Sequence, residues 1–120
     1  MKVECIKLVV DKIDYGINED MAEYLSIGDV FWVYGLRFSE ERTYFYIYNG
    51  EHIFEVPLEL FKIIDNKVSG EWRMFLWSNE DITLWPELFY EEDFLENFAE
   101  REMKERKLFD ILRKRMEQNS

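Results

Sequence analysis

Residues 25–64 read LSIGDVFWVYGLRFSEERTYFYIYNGEHIFEVPLELFKII, and the fold is decided there. The Asn49-Gly50 dipeptide takes the φ > 0 conformations of a two-residue type I′ turn at little cost, so it predicts a hairpin. With that turn, Ile47 is expected opposite His52, Phe45 opposite Phe54 and Thr43 opposite Val56 on one face, which is apolar enough to be core. The other face pairs Tyr48 with Glu51, Tyr46 with Ile53 and Tyr44 with Glu55, setting three tyrosines in a row as a candidate surface.

Working outward, residues 29–38 read as one strand, with Val30, Trp32, Tyr34, Leu36 and Phe38 on one face and Phe31 and Val33 on the other. A strand apolar on both faces is expected to be covered on both sides. Gly35 in its middle permits a bulge or sharp bend, which a small barrel needs to curl closed. Pro57 removes a ladder donor and ends the fourth strand, after which residues 58–61 read as one helical turn and residues 62–65 as extended chain.

Met1-Lys2-Val3-Glu4-Cys5-Ile6, then Leu25-x-x-Gly28-Asp29-Val30 with Val33, the tyrosine strand, and Pro57-x-x-x-Phe61 followed by Ile63 and Ile64 resemble the pattern of small bacterial and phage SH3-like barrel proteins. The resemblance covers about residues 1–65 and departs from the short form in a long first loop and in the whole C-terminal half. Such barrels share a fold and differ widely in function, so the likeness implies architecture and no particular activity.

The remaining chain is read in the same way. A first strand is expected over residues 2–10, with Val3, Cys5 and Val9 alternating with polar positions, and Asn18-Glu19-Asp20 can cap a short helix through Tyr24. Residues 39–42 are charged and read as an exposed loop, and residues 66–70 as a turn. Glu71-Trp72-Arg73-Met74-Phe75-Leu76-Trp77 reads as a strand apolar on both faces that needs cover on each. Residues 78–81 form a turn and residues 82–85 a short extended segment. Pro86-Glu87-Leu88-Phe89 echoes residues 57–61, a likeness too short to establish a repeat.

Residues 91–118 contain no Gly or Pro and favour one long helix, whose stripe is Phe94, Leu95, Phe98, Phe109, Leu112 and Met116. Arg101, Glu102 and Glu105 fall on the same face, so either the helix bends there or its halves meet different surfaces. The first half is expected to pack on the barrel, the second to project or fold back. The expected architecture is therefore α+β: a small, SH3-like, strongly curved antiparallel barrel with a long C-terminal α-helix packed on it. One domain spans residues 1–120, with a β core over 1–85 and a helical segment over 86–120.

Hydrophobic residues make up 48% of the 120 and aromatics 18%, enough to exclude disorder as the main state. No apolar run approaches a membrane span and no basic, then apolar, leader opens the chain, so a cytoplasmic protein with no membrane partner is expected. Cys5, the single cysteine, reads as a small buried hydrophobe in a reducing compartment. The formal net charge of −11, from 26 acidic and 15 basic residues, argues against nucleic acid as a partner. Residues 80–102 hold nine carboxylates against the single Arg101, a local net of −8, while residues 103–117 hold six bases against three acids, a net of +3. Acids first and bases last is what a helix dipole favours, which is the leading reading of this layout, and an acidic docking patch is the alternative.

Motifs for chemistry are missing: there is one His, one Cys, no glycine-rich phosphate loop, no His-x-x-x-His or Cys-x-x-Cys, and no nucleophile elbow. His52, on the core side beside the turn, reads as a hydrogen-bonded structural histidine. No catalytic role, cofactor or metal is expected. The favoured reading is a non-catalytic acidic module that binds a basic protein, most concretely an immunity or inhibitor protein that neutralises a toxin such as a nuclease by presenting carboxylates in place of phosphates. Its candidate partner-binding residues are Tyr44, Tyr46, Tyr48, Trp85, Glu87, Glu91, Glu92, Asp93 and Glu96. The alternative is an SH3-like adaptor that binds a peptide or nucleic acid through surface aromatics. The identity of the partner and the oligomeric state are not legible in the sequence.

Overall fold

The computed structural model describes residues 1–8 and 25–119. Strands β1 (Lys2–Cys5), β2 (Val30–Trp32), β3 (Gly35–Phe38), β4 (Thr43–Tyr48) and β5 (Ile53–Pro57) lead through a 3₁₀ turn, Leu58–Leu60, into β6 (Phe61–Asp65). Then come β7 (Trp72–Leu76), β8 (Ile82–Pro86), a second 3₁₀ turn, Glu87–Tyr90, and helices α1 (Phe94–Ala99) and α2 (Met103–Gln118). The first strand ends at Cys5; the expected Val9 and the cap at residues 18–20 lie outside the described residues.

The strands form two antiparallel sheets, one of three in the order β2-β1-β6 and one of five in the order β5-β4-β3-β8-β7. The α+β class and the helical C-terminus hold, but the barrel does not form. The sheets are separate ladders, neither closed nor strongly curled, and the β7/β8 hairpin lengthens the larger sheet at β3 without returning to the smaller one. The expected single strand over 29–38 is two strands. At Val33 and Tyr34 the chain leaves one sheet for the other, Val33 N–H donating to Met1 O at 3.0 Å and Tyr34 N–H to Tyr46 O at 2.8 Å. Its apolar residues serve two sheets in turn, which is why both of its faces read as buried.

The five-stranded sheet is the middle layer. By strand alternation, Phe45, Ile47 and Val56 share its face toward the smaller sheet and are buried there with Val3, Cys5 and Phe61; the Phe45 and Phe61 rings meet edge to face at 6.1 Å. The opposite face meets the helices: Phe109 of α2 lies 4.9 Å from the Tyr48 ring and 5.2 Å from that of Tyr34. Cys5 is fully buried, its thiol 3.5 Å from Lys7 O and raised in pKa by that burial.

The hairpin differs from expectation in register and keeps its faces. Tyr48 pairs with Ile53, Ile47 with Phe54, Tyr46 with Glu55, Phe45 with Val56 and Tyr44 with Pro57, a two-residue shift from the expected pairing. The cause is Asn49, whose side-chain carbonyl accepts from the backbone N–H groups of Glu51 (2.9 Å) and His52 (2.7 Å). That Asx turn moves the reversal to Gly50-Glu51, and since Gly50 has φ 100° while Glu51 has no positive φ, a type I′ turn is ruled out. A shift of two preserves strand parity, so the tyrosines still share one face.

Two further expectations are corrected. Arg42, in the loop expected to be exposed, is buried, with Nε 3.5 Å from Glu59 Oε2. The single long helix is two: Arg101 adopts φ 63°, and the chain restarts as α2 at Met103. Both helices then lie on the sheet, with Phe94 and Phe98 of α1 and Phe109, Leu112 and Met116 of α2 buried, so the second half does not project.

Candidate interaction surface

The tyrosine row does not lie open to solvent. Tyr46 is only 7% exposed, its ring edge-on to Trp85 at 5.5 Å and to Phe89 at 6.1 Å. Tyr48 is half-buried beneath Phe98 and Phe109 and donates its hydroxyl to Gly50 O at 2.8 Å. Tyr44 is half-buried under the Arg37 guanidinium, 4.5 Å above its ring.

Beside that row lies a charged network that single-strand reading overlooks. Arg37 donates through Nε and Nη2 to the two oxygens of Glu55, at 3.0 and 2.5 Å, and through Nη1 to Asp81 at 2.7 Å. Tyr46 donates its hydroxyl to the same Glu55 at 2.5 Å. Burial and the adjoining carboxylate push the Tyr46 hydroxyl far above its ordinary range, and the Glu55 hydrogen bonds raise Arg37 further. Arg37 is the one base on its short strand and Glu55 the one acid on its own. Once β4 is paired to both neighbours, parity puts them on one face, a step that needs the register of two hairpins. The network borders a cleft of about 360 Å³ lined by Trp77, Ser78, Asn79, Thr83 and Trp85. Trp85 is half-buried, its ring 4.9 Å from Tyr90 and 5.7 Å from Trp77, and its Nε1 is buried with no acceptor among the described residues.

The acidic residues lie elsewhere, Glu87 on the second 3₁₀ turn, Glu91, Glu92 and Asp93 on the short connection after it, and Glu96 on α1. Glu87, Glu91, Glu92, Asp93 and Glu96 are all exposed. Glu87 stands 3.8 Å from Arg73. Glu91, Glu92, Asp93 and Glu96 form no ion pair among the described residues, whereas the carboxylates of Glu51, Glu55, Glu71, Asp81 and Asp110 each hold an arginine. Asp93 sits at φ 60° before α1 and makes no capping bond through its side chain. The structure therefore brings the four acids together on one exposed segment and separates them from the tyrosines.

The last component is β7, which the sequence marks as needing cover and which lies largely bare. Trp72 is buried, donating its indole N–H to Tyr34 O at 2.9 Å, but Met74 is 70% exposed and Leu76 65%. As the terminal strand of the larger sheet it lacks a neighbour on one side among the described residues. Tyr90 ties the acidic turn to β7 by donating its hydroxyl to Arg73 O at 2.7 Å.

His52 is half-buried, its ring 5.8 Å from Phe54 and its Nε2 3.8 Å from Glu51 Oε1. Among the described residues no group of three or more His, Cys, Asp and Glu is placed to hold a metal ion, and no helix is long and apolar enough to cross a membrane. Compared with protein-family models, with curated proteins and with solved structures, the chain finds no match.

Proposed function

We propose that this protein is a non-catalytic acidic module that binds a basic partner protein, the most concrete case being an inhibitor that neutralises a toxin such as a nuclease. One observation carries the reading: Glu91, Glu92, Asp93 and Glu96 are exposed together with no base paired to them among the described residues, on a molecule of net charge −11. Unneutralised carboxylates project a field that speeds encounter with a positive surface, and that field is screened over about 8–10 Å at ordinary ionic strength. Many other acids of the surface are neutralised from within and add little to it.

The adaptor reading loses support, since Tyr46 is buried and Tyr48 lies under α2. Trp85, lining the cleft, and Tyr44, each half-buried, are the remaining candidates among the named aromatics for an anchor.

The test is affinity capture from the native lysate at low and then high salt, run with the wild type and with a variant carrying Glu91→Gln, Glu92→Gln, Asp93→Asn and Glu96→Gln. A basic protein should be captured, elute with salt, and associate more slowly and with a flatter salt dependence on the amide variant, whose fold should be unchanged by circular dichroism. An acidic partner, or binding indifferent to both salt and the amides, would refute the reading.

A further inference from the structure

We infer that the outer edge of β7 pairs with the β7 edge of a second copy of this chain, in antiparallel register about Phe75, joining two five-stranded sheets into one. The argument starts from the hydrogen-bonding parity of the strand. Trp77 N–H donates to Asp81 O at 2.8 Å, and β7 pairs with β8 through Phe75 with Thr83 and Arg73 with Trp85. Because bonded and non-bonded pairs alternate in an antiparallel ladder, residues 73, 75 and 77 turn their backbone groups toward β8. Those of Met74 and Leu76 point away, toward the open edge, and no described backbone group bonds them. Trp72 O also points outward, and it is already capped by Arg73 Nη1 at 3.1 Å. Four groups on this edge thus have no partner among the described residues, the N–H and C=O of Met74 and of Leu76.

A strand satisfies all four at once, and a second β7 does so in a single register. With Phe75 opposite Phe75 of the copy, Met74 lies opposite Leu76 and each such pair exchanges two hydrogen bonds; Arg73 falls opposite Trp77. No like charges face one another. On one sheet face the row of exposed Leu76, half-buried Ile82 and exposed Phe38 would continue into Met74 of the copy, and on the other Phe75, 49% exposed, would meet its own symmetry mate.

Charge favours a copy over a basic strand at this place, because the charged residues around β7, Glu80 in the turn apart, are matched within the chain. Arg73 faces Glu87 at 3.8 Å, Glu71 holds Arg115 at 2.6 Å, and Asp81 holds Arg37 at 2.7 Å. Glu91, Glu92, Asp93 and Glu96, without an ion pair among the described residues, lie away from β7 on α1 and the connection before it. Sheet edges are ordinarily protected by Lys, Pro or a bulge. Lys62 and a register shift opposite β1 protect β6, and Glu55 and Pro57 protect β5, whereas the central residues of β7 are Met, Phe and Leu.

Sedimentation equilibrium from micromolar to about millimolar protein, a range suited to a modest interface, tests the proposal. The wild type should pass from monomer to dimer and no further. Met74→Pro should remain monomeric with an unchanged far-ultraviolet spectrum, because proline there removes only an outward N–H and leaves the β8 ladder intact. Should that variant fail to fold, Phe75→Cys decides. Facing residues of a non-bonded antiparallel pair have Cα atoms about 4.5 Å apart, within disulfide range. Phe75→Cys should then oxidise to a covalent dimer well before Leu58→Cys, an exposed control on another element; native Cys5 is buried and will not compete. A wild type that stays monomeric throughout, with the Met74 and Leu76 amides exchanging freely, leaves the edge to some other strand and overturns the inference. Equal dimerisation by Met74→Pro, or equal cross-linking of the two cysteine variants, overturns it too.

Discussion

At the scale of single residues the chain is governed by close approaches that lie far apart in sequence. A Cβ on Gly35 would come within 2.9 Å of Trp85 Cδ1 and 3.2 Å of Leu84 O. The indole cannot yield easily, held among Tyr46, Phe89 and Tyr90. Gly35→Ala should therefore destabilise the fold by about 1–3 kcal/mol, the ordinary cost of overpacking, and urea unfolding will measure it. The glycine is legible in sequence as a point of bending; its steric reason is not, since Trp85 is fifty positions on. Asn49 teaches the same lesson over a shorter distance. Its pairing with Gly50 suggests a two-residue turn, while its own side-chain carbonyl captures the two amides that decide the register. Of the candidate site residues, the acids are found exposed as their composition suggests, and the tyrosines are not, because a period of two tells which face they share and not what lies on it.

Among elements, those defined by local signals were the most readable. Both proline-led 3₁₀ turns follow a strand that ends in Pro57 or Pro86, and each buries the residue three places on, Leu60 and Phe89. The break between α1 and α2 is foreshadowed by Arg101, Glu102 and Glu105 on an otherwise apolar face. In the structure Arg101 pairs with Glu51 and Arg106 donates to Glu51 O, so the break docks against the β4/β5 turn. Burial of β7 was misjudged because an apolar strand at an open edge and one in the middle of a sheet have the same composition. The helical layer makes its own prediction. Phe109 is 1% exposed and touches the rings of Tyr34, Tyr48, Phe89 and Phe98. Phe109→Ala should cost about 3–5 kcal/mol in thermal or chemical unfolding, far more than Ile111→Ala on the exposed side of the same helix. Near-equal losses would mean that α2 is not anchored through this face.

At the scale of the whole molecule the class was legible and the closure was not. Strand count, turns and helix were all present in local pattern, but whether a last hairpin closes a cylinder or extends a sheet depends on which edge it finds, and no local signal encodes that choice. The larger sheet has β3 in its middle, bonded to β4 on one side and to β8 on the other. The smaller sheet has β1 in its middle, bonded to β2 and to β6. The backbone passes directly from β2 to β3 at Val33 and Tyr34, so neither sheet can come apart without loosening the other. Unfolding followed by tryptophan emission, which samples Trp32 in the smaller sheet and Trp72 and Trp85 in the larger, should coincide with unfolding followed by circular dichroism. Two separated transitions would show that the sheets melt apart. The same crossing has a kinetic consequence. Val3 must wait for Ile63 and Arg37 for Thr83 before either central strand is paired on both sides, so completing each sheet is a long-range step, and refolding should be slower than that of a helical bundle of this length.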